Sequence, residues 1–312
     1  MAAIIPKCIS EVTSSWLSSI LGTQIIAFNT STVAGGHLAD VFRIHDILYA
    51  DSPSLLPPSL IIKIACQKED HRTIAASNNA YLREVLFFEK LAAKVPLRTP
   101  IIYSVLFDNL ERCEFFSIIM EDLSSHSTVF DQLTDQPKEA DIRKIILELA
   151  EFHALFWESD TLNLDWIGFP ENSYKFPMHE AALECEDNID TFAVLWENAF
   201  KQRPFQPKWP SLEPMTRLIC DGNAERILRQ IYKILSQRPH TLLHTDLRGN
   251  NLFRTKPQIG EPSEITYIDW QLVSRGPPGL EFSQAWQHSI PPRGPTKRPR
   301  LFKAISSEVD GN

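Results

Sequence analysis

The chain has 312 residues, a formal net charge of −8 and five scattered cysteines. That acidity argues against bulk binding of nucleic acid, whose phosphates demand clustered Lys and Arg, and no stretch approaches the ~20 apolar residues of a membrane span. Cys8, Cys66, Cys113, Cys185 and Cys220 form no C-x-x-C pair, so reduced thiols are expected rather than a disulfide frame or zinc site. With 43% hydrophobic and 22% charged residues, the composition is that of an ordinary soluble protein. A cytoplasmic location is the default expectation, and no protein partner can be inferred.

From the N-terminus, Ser10 reads as the cap of a short helix carrying Val12, Trp16, Leu17 and Ile20, ended near Gly22. A strand is expected over Gln24 to Phe28. Gly35 and Gly36 then stand before a second strand at Val41 to Arg43. Glycine between strands serves a hairpin turn or a close backbone approach to phosphate. Ser59 to Cys66 reads as a strand with Lys63 among isoleucines, either an edge-strand gatekeeper or a buried cation with a task. Glu84 is the candidate partner, on a helix spanning about Asn78 to Ala93. Strands follow at Ile101 to Phe107 and Phe115 to Met120. From Asp141, the spacing of Ile142, Ile145, Ile146, Leu149, Phe152, His153 and Phe156 predicts an amphipathic helix. On that apolar face His153 reads as a core histidine. Two more helices are expected at about Thr191 to Lys201 and Glu213 to Gln237. The acidic patch Glu184, Glu186, Asp187 and Asp190 is either a solvated loop or a site for a cation.

The most informative stretch is Thr241 to Gln271. His244, Asp246 and Asn251 stand in the order H-x-D-x-x-x-x-N, and a later apolar run delivers Asp269 in IDWQ. Two short strands joined by a turn containing Pro257, Gly260 and Pro262 predict a hairpin that gathers Asp246, Asn251 and Asp269 at one end. Such a cluster suits phosphoryl transfer. One carboxylate accepts the proton of an attacking hydroxyl, while a second carboxylate and an amide oxygen hold magnesium, a hard ion that prefers oxygen. Asp246 is assigned as the base or hydroxyl-positioning group, Asn251 and Asp269 as metal ligands, and His244 as a brace for the loop.

HTDLRGNNLF followed by IDWQ resembles the aminoglycoside phosphotransferase and choline-kinase-like superfamily, particularly its ecdysteroid-kinase-like branches, and LAEFHALFW is similar to the same pattern. The resemblance implies a bilobal, protein-kinase-like α+β fold, with a small mixed-sheet lobe over 1–120 and a mostly helical catalytic and substrate-binding lobe over 121–290, while the density of proline and charge over 291–312 predicts a disordered tail. It implies an ATP- and Mg2+-dependent kinase acting on a hydroxylated small molecule. Gly35 and Gly36 would cover the nucleotide, and Lys63, held by Glu84, would grip its phosphates. Backbone groups near Glu121 and Leu123 would bind adenine. After IDWQ the chain departs from the pattern: Glu281 stands where relatives begin a helix with aspartate, and a Pro-rich basic segment replaces further helices. The alternative expectation is a catalytically impaired pseudokinase or nucleotide-binding module.

Overall fold

The computed structural model describes residues 4–33, 38–50, 56–130, 137–169, 237–256 and 263–282. Helix α1 (Ser14–Leu21) starts at Thr13, whose Oγ1 accepts the Trp16 N–H at 3.2 Å, and stops at Gly22, left-handed at φ 65°. The cap expected at Ser10 is therefore corrected: Ser10 belongs to a short 3₁₀ turn, Ile9–Glu11. Thr13 caps because it stands three residues before the exposed amide of Trp16.

Five strands follow: β1 (Ile25–Thr32), β2 (Ala39–Tyr49), β3 (Leu60–Ala65), β4 (Ile102–Phe107) and β5 (Phe116–Glu121). Their order is β1-β2-β3-β5-β4, and every pairing is antiparallel. The pairing has a simple topological origin. β3 and β4 run parallel, but β5 inserts between them, so no parallel rung forms. β3 is central, with Lys63 opposite Val41 on one side and Ile118 on the other.

Side-chain alternation along β3 separates two cores. Ile62 and Ile64 pack with Leu17, Ile44 and Ile119 on the α1 face. Ile61 borders the opposite cluster of Tyr81, Val85, Ile118 and Met120, and Lys63 shares that face. The cover there is α2 (Glu69–Ser77) and α3 (Ala80–Leu86), the latter continuing as one wide turn, Phe87–Leu91. The single helix expected over residues 78–93 is thus interrupted at its start by Asn79, φ 54°. Every residue of α3 is buried, the charged Arg83 and Glu84 included, as befits a helix sunk between sheet and second lobe.

Beyond β5 come β6 (Ser127–Val129), α4 (Glu139–Leu155), β7 (Thr241–Leu243), β8 (Leu252–Thr255), β9 (Ile265–Tyr267) and β10 (Ser274–Gly276). The expected hairpin is present as β8–β9, with Leu252 opposite Tyr267, and β6 flanks it. β7 pairs with β10. Helix α4 buries Ile145, Leu149, Phe152 and His153, and side chains fasten it to the hairpin: Asp141 to Arg254 and Glu148 to the Tyr267 hydroxyl, both at 2.9 Å. One core joins the lobes, running from Phe87, Leu91 and Leu97 to Phe152, Tyr267 and Trp270.

Cys66 and Cys113 are buried free thiols, and burial pushes Cys113 up to about 12. No helix among the described residues is long and apolar enough to cross a membrane. Gly35 and Gly36, the helices expected at 191–201 and 213–237, the patch from Glu184 to Asp190, Cys185, Cys220 and the tail 291–312 lie outside the described residues.

Candidate active site

Lys63 enters the site from the middle of β3, and Glu84 reaches it from α3. Asp269 arrives just after β9, 206 residues along the chain from Lys63. The ammonium donates to Glu84 Oε1 and to Asp269 Oδ1, each at 2.8 Å. What aligns them is aromatic packing. Phe87, three residues past Glu84, stacks on Trp270, one past Asp269, with centroids 3.9 Å apart and planes 8° apart. Trp270 is fully buried and donates its indole N–H to Tyr267 O at 3.1 Å. The position of Asp269 is therefore set by a core contact between lobes.

The loop from His244 to Asn251 is held more locally. His244 is buried and neutral, pushed down to about 4 by burial. Its Nε2–H donates to Ile268 O at 2.8 Å, and its Nδ1 accepts the Asp246 N–H at 3.3 Å. Asn251 Nδ2 donates to Asp246 O at 2.9 Å and to Asp246 Oδ2 at 3.0 Å, which turns its side-chain oxygen away from Asp246. A Cβ on Gly249 would lie 2.9 Å from Phe130 O, so the loop can pass this close to the backbone only with glycine there. Thr245 and Asp269 both have positive φ, 69° and 65°. For β-branched Thr245 this is a strained conformation costing on the order of 1–3 kcal/mol.

Glu281 holds Thr245 in place. Its Oε1 accepts the His244 N–H at 2.5 Å and the Thr245 N–H at 3.0 Å, while Thr245 Oγ1 lies 2.6 Å from Ser274 Oγ. Beneath, Glu281 Oε2 is 3.3 Å from His153 Nε2. His153 Nδ1 lies 3.1 Å from Leu242 O, an acceptor that fixes the proton on Nδ1. Burial pushes Glu281 up to about 8 and His153 down to about 4. Burial thus favours the uncharged form of both groups at neutral pH.

The groups above the loop carry charge. Burial opposes the Lys63 ammonium, but the carboxylates of Asp269 and Glu84 overcome it and hold lysine above its ordinary range. Burial likewise raises Asp269, yet the Lys63 charge and hydrogen bond bring it below the usual carboxylate range. Burial pushes Asp246 up to about 6, with the Arg248 guanidinium pulling against the shift and the Asp269 charge adding to it. Arg248 Nε stands 3.5 Å from Asp246 Oδ2.

Of the residues singled out from sequence, Lys63, Glu84, Asp246, Asn251 and Asp269 meet in one cluster. Glu121 and Leu123 stand at the end of β5 and just beyond. The Glu121 amide donates to Ile101 O at 2.8 Å, and its carboxylate meets the Ile101 amide, Arg98 and His126. Leu123 O accepts the His126 N–H. An adenine contact there would fall to the Glu121 carbonyl and the Leu123 amide. Arg248 and the support from His153 were not anticipated. Glu281 was legible only as a departure from a pattern, and Arg248 only as a basic residue beside Asp246.

The ecdysteroid kinase-like family profile matches residues 36–290. No curated protein matches the chain. Among solved structures, a protein assigned as a fructosamine-3-kinase from Thermobifida fusca YX-ER1 superposes with a TM-score of 0.51 at 14% identity, covering 96% of this chain and 84% of that one. This likeness shows the kinase-like fold. A point mutant of an aminoglycoside 2'-phosphotransferase-IIIa in its GDP complex gives 0.48 at 11% identity, covering 88% and 78%. A macrolide 2'-phosphotransferase from Brachybacterium faecium gives 0.44 at 12%, covering 95% and 81%.

Proposed function

The chain belongs to the ecdysteroid kinase-like family, and from that premise we propose that it moves the terminal phosphate of ATP to a hydroxyl of a small molecule, with magnesium as its metal. The observation that carries this reading is the Lys63 ammonium bonded at once to Glu84 and Asp269, with Asp246 close enough to feel the Asp269 charge. Lys63 donates to the inner phosphates, and Glu84 keeps it extended toward them. Asp246 receives the acceptor's proton as the hydroxyl oxygen bonds to the terminal phosphorus and the bond to the departing ADP oxygen breaks.

The residues fit magnesium. Asp269 Oδ2 has one long contact, 3.4 Å from Gln271 Nε2, and Asn251 offers an amide oxygen. Among the described residues no three His, Cys, Asp or Glu side chains form a metal cage. Two protein oxygens suit an ion that completes its shell with phosphate and water. When bound, magnesium supplies neutralising charge for the phosphates. The protein's contribution is positioning and fixed electrostatics.

Asp246→Asn is expected to lower phosphoryl transfer by ~10² to 10⁴-fold, roughly 3 to 5 kcal/mol of barrier. The check is magnesium-dependent ATP turnover by the purified protein across a panel of hydroxylated metabolites. Near-normal turnover in the variant would refute the role of Asp246. Nucleotide binding by the wild type without turnover on any acceptor would leave a non-catalytic nucleotide-binding protein.

A further inference from the structure

Arg248 begins the short turn Gly249–Asn251, two residues after Asp246. Its side chain is 38% exposed, against 22% for Asp246. The 3.5 Å between Nε and Asp246 Oδ2 is too long for a firm hydrogen bond, and that nitrogen is buried with no hydrogen-bond partner among the described residues. The guanidinium charge nevertheless reaches across the site, acting on Asp246 and on Asp269 alike.

The two cations of the cluster are held very differently. Lys63 is nearly buried and donates to two carboxylates at 2.8 Å, so it cannot move far. Among the described residues Arg248 has one loose carboxylate neighbour, and its side chain is 38% exposed. A guanidinium presents five donors in a planar fork that matches phosphate oxygens, and it loses less on shedding water than an ammonium does. Lys63 is already shared between Asp269 and Glu84, whose carboxyl burial raises to about 7, so an incoming phosphate chain needs more positive charge than Lys63 alone provides. Arg248 stands beside the base, where the acceptor hydroxyl must meet the phosphorus. Lys63 instead bonds Glu84 and Asp269.

We propose that Arg248 is a further catalytic residue, whose guanidinium turns from Asp246 to the outermost phosphoryl group of the bound nucleotide and neutralises charge on its oxygens during transfer. This rests on the kinase reading and deepens it. The loose contact with Asp246 is the resting position of a mobile cation, poised one side-chain rotation from the reacting group. An arginine that served only to anchor Asp246 would not distinguish nucleotides that differ in their last phosphate.

That distinction is the test. Affinities for Mg-ATP and Mg-ADP are measured by calorimetry without acceptor, for wild type, Arg248→Ala and Arg248→Lys, with turnover assayed separately. Arg248→Ala is expected to weaken ATP by about tenfold while leaving ADP unchanged, and to lower kcat by ~10² to 10³-fold, the scale of removing one fixed donor from a transition state. Arg248→Lys keeps the charge without the fork and should recover only part of both losses; if the alanine variant does not fold, it carries the same comparison. Equal changes for ATP and ADP, or an unaltered kcat, would overturn the assignment and leave Arg248 as a structural neighbour of Asp246. A wild-type protein that binds neither nucleotide would instead overturn the kinase reading itself, and this inference with it.

Discussion

On its cleft side the loop from His244 to Asn251 carries Asp246 and Arg248, partly exposed and 3.5 Å apart. On its inner side it rests on Glu281 and His153, both buried and 3.3 Å apart. The outer pair is ionised and loosely joined, while the inner pair is neutral and closed in by backbone hydrogen bonds. The difference follows from solvation. A charge can stand where water or a ligand neutralises it, whereas a group that only fixes backbone position does so at least cost when it is uncharged.

The strongest way to break this contrast is to remove a charge from the outer cluster where it is already enclosed. Lys63→Ala leaves Glu84 and Asp269 side by side without their cation and should destabilise the fold by roughly 3–5 kcal/mol, read as a lowered midpoint in urea unfolding. Lys63→Ala with native stability would mean that the two carboxylates do not depend on lysine for their charge balance. Next in size is the inner pair. Glu281→Ala strands the amides of His244 and Thr245 and should cost roughly 2–3 kcal/mol. Glu281→Gln keeps an oxygen facing those amides and should cost less than about 1 kcal/mol. Equal losses in the two variants would show that the carboxyl is needed for its charge.

A change of pH sharpens the same point without removing a side chain. Glu281 is raised from 4.5 to about 8 in the folded protein, so between those values the native state holds a proton that the unfolded chain has released. Stability must then fall as pH rises through this window. His153, lowered from 6.5 to about 4, works in the opposite sense: its neutral burial favours folding more as pH rises toward 6.5. Above pH 6.5 only the glutamate contribution of this pair remains. Wild type should lose stability relative to Glu281→Gln by about 1.4 kcal/mol per pH unit, or about 2 kcal/mol from pH 6.5 to 8. Parallel stability profiles for the two proteins would place an ionised glutamate beneath the loop.

Much of the site was legible because its parts are local strings. The spacing of His244, Asp246 and Asn251 encodes a turn whose own side chains bond back to it. Period-two alternation along β3 puts Lys63 on the opposite face from Ile62 and Ile64, toward α3. The placement of Glu281 was harder to see. It lies in a helical turn after Pro277 and Pro278, and nothing in its neighbourhood indicates that its carboxyl enters the core. His153 is the core histidine its helical spacing predicts, but its ring also faces the carboxyl supporting the loop from His244 to Asn251. The cap at Thr13 and the break at Asn79 show the same limit, since one local preference displaced another of similar strength.

Residue order along the chain settled which chemistry is available: a lysine amid apolar strand residues, a glutamate on the next helices, and two oxygen-bearing strings on a hairpin. The kinase-like class of fold was legible through the resemblance carried by HTDLRGNNLF, IDWQ and LAEFHALFW, whereas alternation and helical spacing, being short-range patterns, marked only individual strands and helices. Folding in three dimensions decided the rest. The stack of Phe87 on Trp270 brings Lys63, Glu84 and Asp269 into contact, and the buried pair under Thr245 fixes a backbone that threonine would not adopt unaided. Those outcomes depend on desolvation and packing between segments far apart in the chain, and both arise only once the core has closed.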